Sequence, residues 1–281
     1  MSKPPSKTIV QRTNFDGWPK ARELIEFTGH HVLEANDRAL LNTLYQHAHD
    51  SCDMTDTDAE WSIPLADLRA SKTHKGNERV RASLDRLLSV VVTVPYVDAR
   101  TGEDRVMLTN LFGFFDLNAE ETTERATLRF GLPKKLQTIL ALSGQWGRIK
   151  AEIVMAMTSK YAIALYEMVQ ARANLDRCTE TIPIERFRAL IGVPPGKLMR
   201  GPDFKRYALE PAALEVNGLS DVGVTLEVVR KSQNNSLSPI VAVTMAWWRK
   251  EGDEYRAAIQ ERARPKVGRM ARLKGTVETM A

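Results

Sequence analysis

Residues 192–197, Gly-Val-Pro-Pro-Gly-Lys, contain the residue types of a phosphate-binding loop. A Walker loop places four residues between its glycines and follows the lysine with Ser or Thr, whose hydroxyl binds magnesium. Here three residues separate Gly192 from Gly196, and Leu198 follows the lysine. A predicted helix also precedes the segment, where a nucleotide loop requires a strand. We therefore expect no nucleotide cofactor at this loop.

A second stretch, residues 47–49, has the metal-binding pattern His-Ala-His. On a β-strand these two histidines would share one face and could hold a cation. The surrounding sequence instead predicts a helix, in which positions i and i+2 lie about 200° apart. Neither His30-His31 nor His74 has an evident second ligand in the sequence. We therefore predict no metal site and no catalytic residues.

Basic side chains after the glycine-rich loop favour contact with a polyanion. Asp203 is the predicted N-cap of a helix that runs to residue 217. If Phe204, Ala208 and Leu214 face the core, the basic positions between them face outward. A helix fits the major groove, where Arg can bind guanine and Lys can pair with phosphate. The candidate DNA contacts of this segment are Lys197, Arg200, Lys205 and Arg206.

Three other segments are basic. A predicted hairpin tip contributes Arg230, Lys231 and Asn234. A segment between and along two predicted helices contributes Lys72, Lys75, Arg79 and Arg81. Residues 251–281 form a basic C-terminal tail, for which a solvated tail and sequence-independent phosphate contact are both open interpretations.

The elements that must position these residues recur twice in one order: a helix, a short helix, a longer helix and a β-hairpin. The first set covers residues 36–50, 61–70, 77–88 and 90–115, and the second covers residues 159–172, 182–192, 201–217 and 222–248. Asn36 is the predicted N-cap of the first helix, and Pro211 is predicted to kink the last one. An earlier short helix is predicted over residues 20–27. This order is typical of a winged helix. The sequence predicts an α+β fold of two tandem winged-helix domains, with a generic α+β fold as the alternative.

Composition is compatible with this interpretation. The 281 residues are enough for two domains, and the net charge of +5 suits a polyanionic partner without requiring one. The two cysteines, Cys52 and Cys178, form no disulfide or zinc pattern. Neither a signal peptide nor an apolar run of membrane-spanning length is evident. We expect a cytoplasmic protein without a membrane partner.

One segment of the second half of the sequence resembles a known protein family. Residues 204–217 follow the pattern F-K-x-x-x-L-x-P-A-x-x-E-x-N, preceded by helices of matching type. This run is similar to the second winged helix of the plasmid replication initiator (Rep) proteins that bind iterons, which are directly repeated origin sequences. The resemblance covers about residues 35–248 and is strongest over residues 159–217.

The resemblance implies two winged helices related by a pseudo-twofold axis. Residues 1–30 lie outside the resemblance and are predicted from the sequence itself to form an N-terminal arm. Residues 31–130 would form a dimerisation and DNA-backbone domain, and residues 131–250 the domain that binds DNA sequence-specifically. Monomers would bind iterons in double-stranded DNA and help open the origin. Homodimers in equilibrium with them would repress the protein's own gene at an inverted repeat. The host initiator ATPase and replicative helicase are implied partners.

Two alternatives stay open from the sequence. A winged-helix transcriptional regulator would use the same DNA-facing residues on another target. A rolling-circle initiator, an enzyme that nicks DNA with a tyrosine and a His-hydrophobe-His metal pair, would use residues 47–49. We predict that the protein is not an enzyme.

Overall fold

The computed structural model describes residues 7–51, 54–68, 75–118, 126–232 and 238–276. The chain divides into two compact units, Met1–Ala151 and Glu152–Ala281. Among the described residues, no helix has the length and apolar character needed to span a bilayer.

Unit 1 combines helices with short antiparallel sheets. Its elements are β1 (Trp18–Ala21), α1 (Arg22–Ile25), α2 (Ala35–Asp50), β2 (Trp61–Pro64), α3 (Lys75–Ser89), β3 (Val91–Val97), β4 (Asp104–Asn110), β5 (Phe114–Leu117), β6 (Thr127–Gly131), α4 (Lys134–Leu142) and β7 (Trp146–Ile149). Strands β1 and β7 pair, as do β3 and β4, and a third sheet has the order β2-β6-β5. A single 3-10 turn, Leu65–Leu68, stands where the sequence predicted a short helix. The order α2, turn, α3 and hairpin β3–β4 is that of a winged helix.

The N-terminal region differs from the predicted arm and helix. The helix predicted over residues 20–27 is shorter, α1 (Arg22–Ile25), because residues 18–21 form β1, which pairs with β7, with Trp18 opposite Ile149. All four residues of β1 are buried, and the Lys20 Nζ donates to Asn42 Oδ1 at 3.2 Å. A four-residue strand buried on both faces has no alternating pattern to identify it. Because β7 belongs with β1, the compact units divide after Ala151, whereas the sequence placed the division at residue 130.

Helix α2 begins earlier than its predicted N-cap. Glu34, not Asn36, is the N-cap residue, because the Glu34 N–H donates to Asp37 Oδ2 at 2.8 Å in a capping box. The same Asp37 carboxylate is fully buried and accepts two hydrogen bonds from Arg86 of α3, at 2.7 and 2.8 Å. One carboxylate thus starts α2 and fixes α3 against it.

Unit 2 repeats the winged-helix order and adds a C-terminal segment. Helix α5 (Ala151–Ala156) is followed by α6 (Lys160–Gln170), β8 (Thr179–Pro183), α7 (Ile184–Ile191), α8 (Gly201–Phe204), α9 (Glu210–Leu219), β9 (Val222–Arg230), β10 (Ile240–Arg249), α10 (Gly252–Ala263) and α11 (Arg269–Leu273). The strands form one antiparallel sheet with the order β8-β10-β9. A π turn, Lys205–Leu209, joins α8 to α9. We refer to α8, this turn and α9 together as the long helix.

Two polar residues of the family-like pattern fix the long helix in place. The buried Glu215 carboxylate accepts hydrogen bonds from the backbone N–H groups of Thr158 and Ser159, at 2.9 and 3.1 Å, at the start of α6. Asn217 exchanges two hydrogen bonds with the backbone of Val224 in β9, at 2.7 and 2.9 Å. These side chains therefore position the long helix against α6 and the sheet.

Candidate nucleic-acid interface

The turn before the long helix is held by an arginine that sequence reasoning missed. Helix α7 ends beside the C-cap residue Gly192, where the predicted short helix also ended, and the φ of Gly192 is left-handed at 78°. Arg188 of α7 donates to the carbonyl of Leu198 at 2.9 Å and to that of Lys197. Leu198 has a φ of 51°, which is unfavourable for a residue with a side chain, so these bonds stabilise a strained turn. The exposed Lys197 side chain is carried on this fixed backbone.

The long helix begins at Gly201, ahead of the predicted start. Arg200 is the N-cap residue, and Asp203, the predicted cap, lies in the first turn. Pro202 favours this start because its missing N–H is not needed in the first turn of a helix. The Asp203 carboxylate lies 3.9 Å from Arg200 Nε, at the positive end of the helix.

The π turn decides which side chains of the long helix face outward. Pro211 cannot donate a hydrogen bond, and its ring crowds the carbonyl four residues earlier. Where the sequence predicted a kink, the Glu210 N–H bonds to the Lys205 carbonyl, five residues back. This wider turn leaves the consecutive residues Lys205, Arg206 and Tyr207 all exposed.

The opposite side of the long helix is buried. Phe204, Ala208 and Leu209 are at most 3% exposed, whereas Leu214, which was predicted to face the core, is only partly buried. The Arg188 guanidinium lies 4.9 Å from the Phe204 ring centroid and so ties the turn to the helix as well. The basic positions are therefore set on a rigid support.

The outward cations make only weak contacts within the protein. Lys205 Nζ lies 3.6 Å from Glu210 Oε1, and both side chains are more than half exposed. The Arg206 guanidinium carbon lies 5.4 Å from the Tyr207 ring centroid. Exposed ion pairs contribute about 0–1 kcal/mol. A DNA phosphate or base can therefore replace these contacts at little cost.

The wing of unit 2 is the hairpin β9–β10, and one of the contacts predicted there is an exposed cation. Lys231 is exposed beyond the end of β9. Arg230 is half-buried, and its Nη1 donates to the Ser238 carbonyl at 2.7 Å across the base of the wing. A groove of about 430 Å³ lies between the turn and the wing, with Arg188, Arg200 and Arg230 among its lining residues. Asn234 lies outside the described residues.

In unit 1, the predicted contacts lie on or before α3. Arg79 and Arg81 are exposed on this helix, and Lys75 is its first residue. Lys72 lies outside the described residues. Within each unit, the structure thus brings basic side chains onto or next to the helix that precedes the hairpin.

Comparison with models of protein families shows which family this chain belongs to. A family model described as "Initiator Replication protein, WH1" matches residues 20–170, and one described as "Initiator Rep protein, WH2" matches residues 183–247. The chain belongs to this family of replication initiators. It is a plasmid replication initiator that binds DNA, with two winged-helix domains in tandem, and its family is not a known catalytic family. No match was found among the curated proteins.

The C-terminal segment of the initiator, residues 250–276, is folded and docked, unlike a solvated tail. Four of its cations donate to carbonyls at the ends of helices, two at the long helix and two at α5. Lys250 Nζ donates to Ser220 O at 3.0 Å and also to Asn217 O, and Arg262 Nη1 donates to Leu219 O at 2.6 Å. The last carbonyls of a helix lack intrahelical partners and carry partial negative charge. Lys250 and Arg262 therefore cap the end of the long helix.

The other end of this segment holds α5. Arg269 is buried and donates to the Ala156 carbonyl at 2.7 Å, while Lys266 Nζ donates to the Met155 carbonyl at 2.8 Å. Leu273 of α11 packs so closely on α9 that a methyl group at Gly218 would overlap it. The segment is thus an integral part of unit 2.

Glu261 is the acidic centre of this segment. Arg272 donates to its carboxylate at 2.6 and 3.0 Å, and Arg269 and Arg264 lie 3.6 and 3.5 Å from it. Burial tends to raise the pKa of Glu261, but the hydrogen bonds from Arg272 and the charges of the other two arginines outweigh it and lower the pKa. Burial also lowers the pKa of Lys250 to about 8.

The histidines of residues 47–49 point to different backbone groups. His47 Nε2 lies 2.9 Å from Ser62 O, and His49 Nε2 lies 2.8 Å from Gln11 O. Across the part of the chain that the structure describes, no group of three or more His, Cys, Asp or Glu residues could hold a metal ion.

Proposed function

We propose that this initiator binds directly repeated origin sequences as a monomer, helps to open the origin and recruits the host initiator ATPase and replicative helicase. The observation that carries the proposal is the outward row of the long helix, Lys205 to Tyr207, beside Lys197 on its braced turn. A helix bearing exposed cations on a buried, rigid support suits the major groove. Phosphate contacts from Lys197, Arg200 and Lys231 would set its register.

Fluorescence anisotropy with two labelled duplexes tests DNA-sequence recognition. One duplex carries a direct repeat from the DNA beside the protein's own gene, and the other carries a scramble of that repeat. We expect about a thousandfold preference for the repeat at moderate salt, within the range of specific readers. Equal affinity for both duplexes would contradict the proposal, and supercoiled DNA would then be tested for nicking.

We further propose that a homodimer represses the initiator's own gene, and that hairpin β3–β4 supplies the dimer contact. One face of this hairpin carries Val91, Val97, Val106 and Leu108, each between 57% and 73% exposed. In this hairpin Thr93 is opposite Leu108 and Val97 is opposite Asp104. Because paired residues, and alternate residues along each strand, point to the same side, these four side chains share one face. Among the described strands, β4 pairs with β3 alone and so leaves one edge open. An open edge beside an apolar face suits antiparallel pairing with a second copy about a twofold axis.

Sedimentation of a charged variant tests the dimer. Leu108→Lys should shift the equilibrium strongly to monomer, because an ammonium group in an apolar contact loses its hydration. Leu175→Lys, at a comparably exposed leucine in unit 2, is the matched control and should leave the equilibrium unchanged. A dimer of unchanged strength in the Leu108 variant would contradict the proposed contact.

A further inference from the structure

The outward row of the long helix contains one side chain that phosphate binding does not explain. Tyr207 is 54% exposed and lies between the exposed Arg206 and the fully buried Ala208. An α-helix would spread three consecutive residues over about 200°. Because the π turn is wider, Tyr207 stays on the same outward surface as Lys205 and Arg206.

The exposed ring is not needed for the core of unit 2. Phe204, Ala208 and Leu209 fill the inner side of the long helix, and each is nearly or fully buried. By contrast Tyr45, a structural tyrosine of unit 1, is 2% exposed and donates its hydroxyl to the Leu111 carbonyl at 2.6 Å. Tyr207 instead keeps more than half of its surface in contact with solvent.

The ring also has a charged neighbour. The Arg206 guanidinium carbon lies 5.4 Å from the ring centroid, a cation–π contact that restricts both side chains. Arginine binds guanine or phosphate, whereas an aromatic carbon surface complements the C5-methyl group that only thymine presents in the major groove. The pair therefore combines a polar and an apolar reader at adjacent positions.

We propose that Tyr207 is a specificity-determining residue that contacts the methyl group of a thymine in the DNA site, next to the base or phosphate that Arg206 engages. This inference rests on the proposed function, since it requires that the long helix enter the major groove. It assigns part of the sequence preference to an apolar contact, which adding salt does not screen.

Replacing each thymine of the repeat in turn by deoxyuridine tests the contact, because this change removes only the methyl group. One such replacement should weaken wild-type binding about fourfold, the contribution of one buried methyl group. In Tyr207→Ala the same replacement should have no further effect. Tyr207→Phe should retain the sensitivity because it retains the ring, and Arg206→Ala should retain at least part of it.

The results of this experiment distinguish a failure of the Tyr207 contact from a failure of the proposed function. If the wild type prefers the repeat but Tyr207→Ala responds to every deoxyuridine as the wild type does, the methyl contact is wrong and the proposed function stands. A Tyr207→Ala variant that binds repeat and scramble more weakly by the same factor also overturns the contact. If the wild type does not distinguish the two duplexes, both proposals fail. Equal urea unfolding of wild type and Tyr207→Ala would establish that the variant is folded.

Discussion

Two basic regions of unit 2 use the same residue types for different purposes. In the C-terminal segment, Lys250, Arg262 and Arg269 donate to backbone carbonyls, and Arg272 donates to Glu261. On the turn and the long helix, the cations remain exposed, with only loose contacts to neighbouring acidic or aromatic groups. A count of basic residues therefore does not measure a DNA-binding surface. Only cations whose donors are not already used by the fold are available to phosphate.

The largest effect that would sharpen this contrast is the loss of a buried cation. Arg269→Ala should lower the free energy of unfolding by about 3 kcal/mol, because it removes the donor to Ala156 and a charge beside Glu261. Urea unfolding measures this loss. Arg256→Ala, at an exposed arginine of α10, is the matched control and should change stability by less than about 0.5 kcal/mol. Unchanged stability with weakened DNA binding would place Arg269 in the DNA interface.

For an exposed cation of the long helix, we expect a loss of DNA affinity without a loss of stability. Arg206→Ala should cost about 1–3 kcal/mol of binding to the repeat and leave the free energy of unfolding within about 0.5 kcal/mol of wild type. Anisotropy on the repeat and its scramble measures the first, and urea unfolding the second. If both duplexes lose affinity by the same factor, Arg206 contacts phosphate and does not distinguish bases.

The pH dependence of stability separates the two regions in another way. Between pH 8 and about 10.5, Lys250 is largely neutral when folded and charged when unfolded, because its folded pKa of about 8 lies below its ordinary value. The unfolded state then binds more protons, so the stability of the wild type should rise with pH relative to Lys250→Met, by about 1–2 kcal/mol over this range. Urea unfolding at several pH values measures the difference.

The matched control for that experiment is Lys197→Met, since Lys197 is exposed in the folded protein. Its difference from wild type should stay constant with pH. A constant difference for Lys250→Met as well would mean that its ammonium group is not desolvated by folding.

The smallest effect of a substitution is expected on the salt dependence of DNA binding. If the basic residues of both units contact phosphates, the affinity for DNA should fall about a thousandfold between about 50 and 200 mM salt, as for six or more phosphate contacts. Lys197→Ala and Lys231→Ala should each reduce the slope of log affinity against log salt by about 1. Arg262→Ala should leave this slope unchanged, because its donor is used on Leu219. An equal change in all three would erase the distinction between the two regions.

Much of the winged-helix order could be predicted from the sequence. Hairpin β3–β4 and hairpin β9–β10 formed within the segments predicted as hairpins, and the short helix α7 ended beside Gly192. The first hairpin is shorter than predicted, because residues 114–115 belong to β5, which pairs with β6. The strand β1 was not predicted, because its four residues are all buried and its partner β7 lies far along the chain. The start of α2 was missed because Asp37 accepts from an N–H three residues earlier, which moves the N-cap to Glu34.

The candidate site could be predicted only in part. Lys205 and Arg206 were expected to face outward, and they do, because Phe204 and Ala208 occupy the core. Tyr207 was not expected beside them, since an ideal helical period does not anticipate the π turn. Arg188 was not predicted as a site residue, because its role in holding the turn depends on two backbone carbonyls that the fold brings beside it.

The order of the elements, their buried apolar faces and the turn that ends α7 follow from the sequence, because they depend on side-chain period and local backbone preference. Which cations remain available to DNA depends on tertiary packing. Arg269 and the Ala156 carbonyl are 113 residues apart in the chain. Every residue carries a backbone carbonyl, so sequence alone does not indicate which ones will end a helix beside an arginine. That pairing exists only once α5, the long helix and the C-terminal segment have packed together.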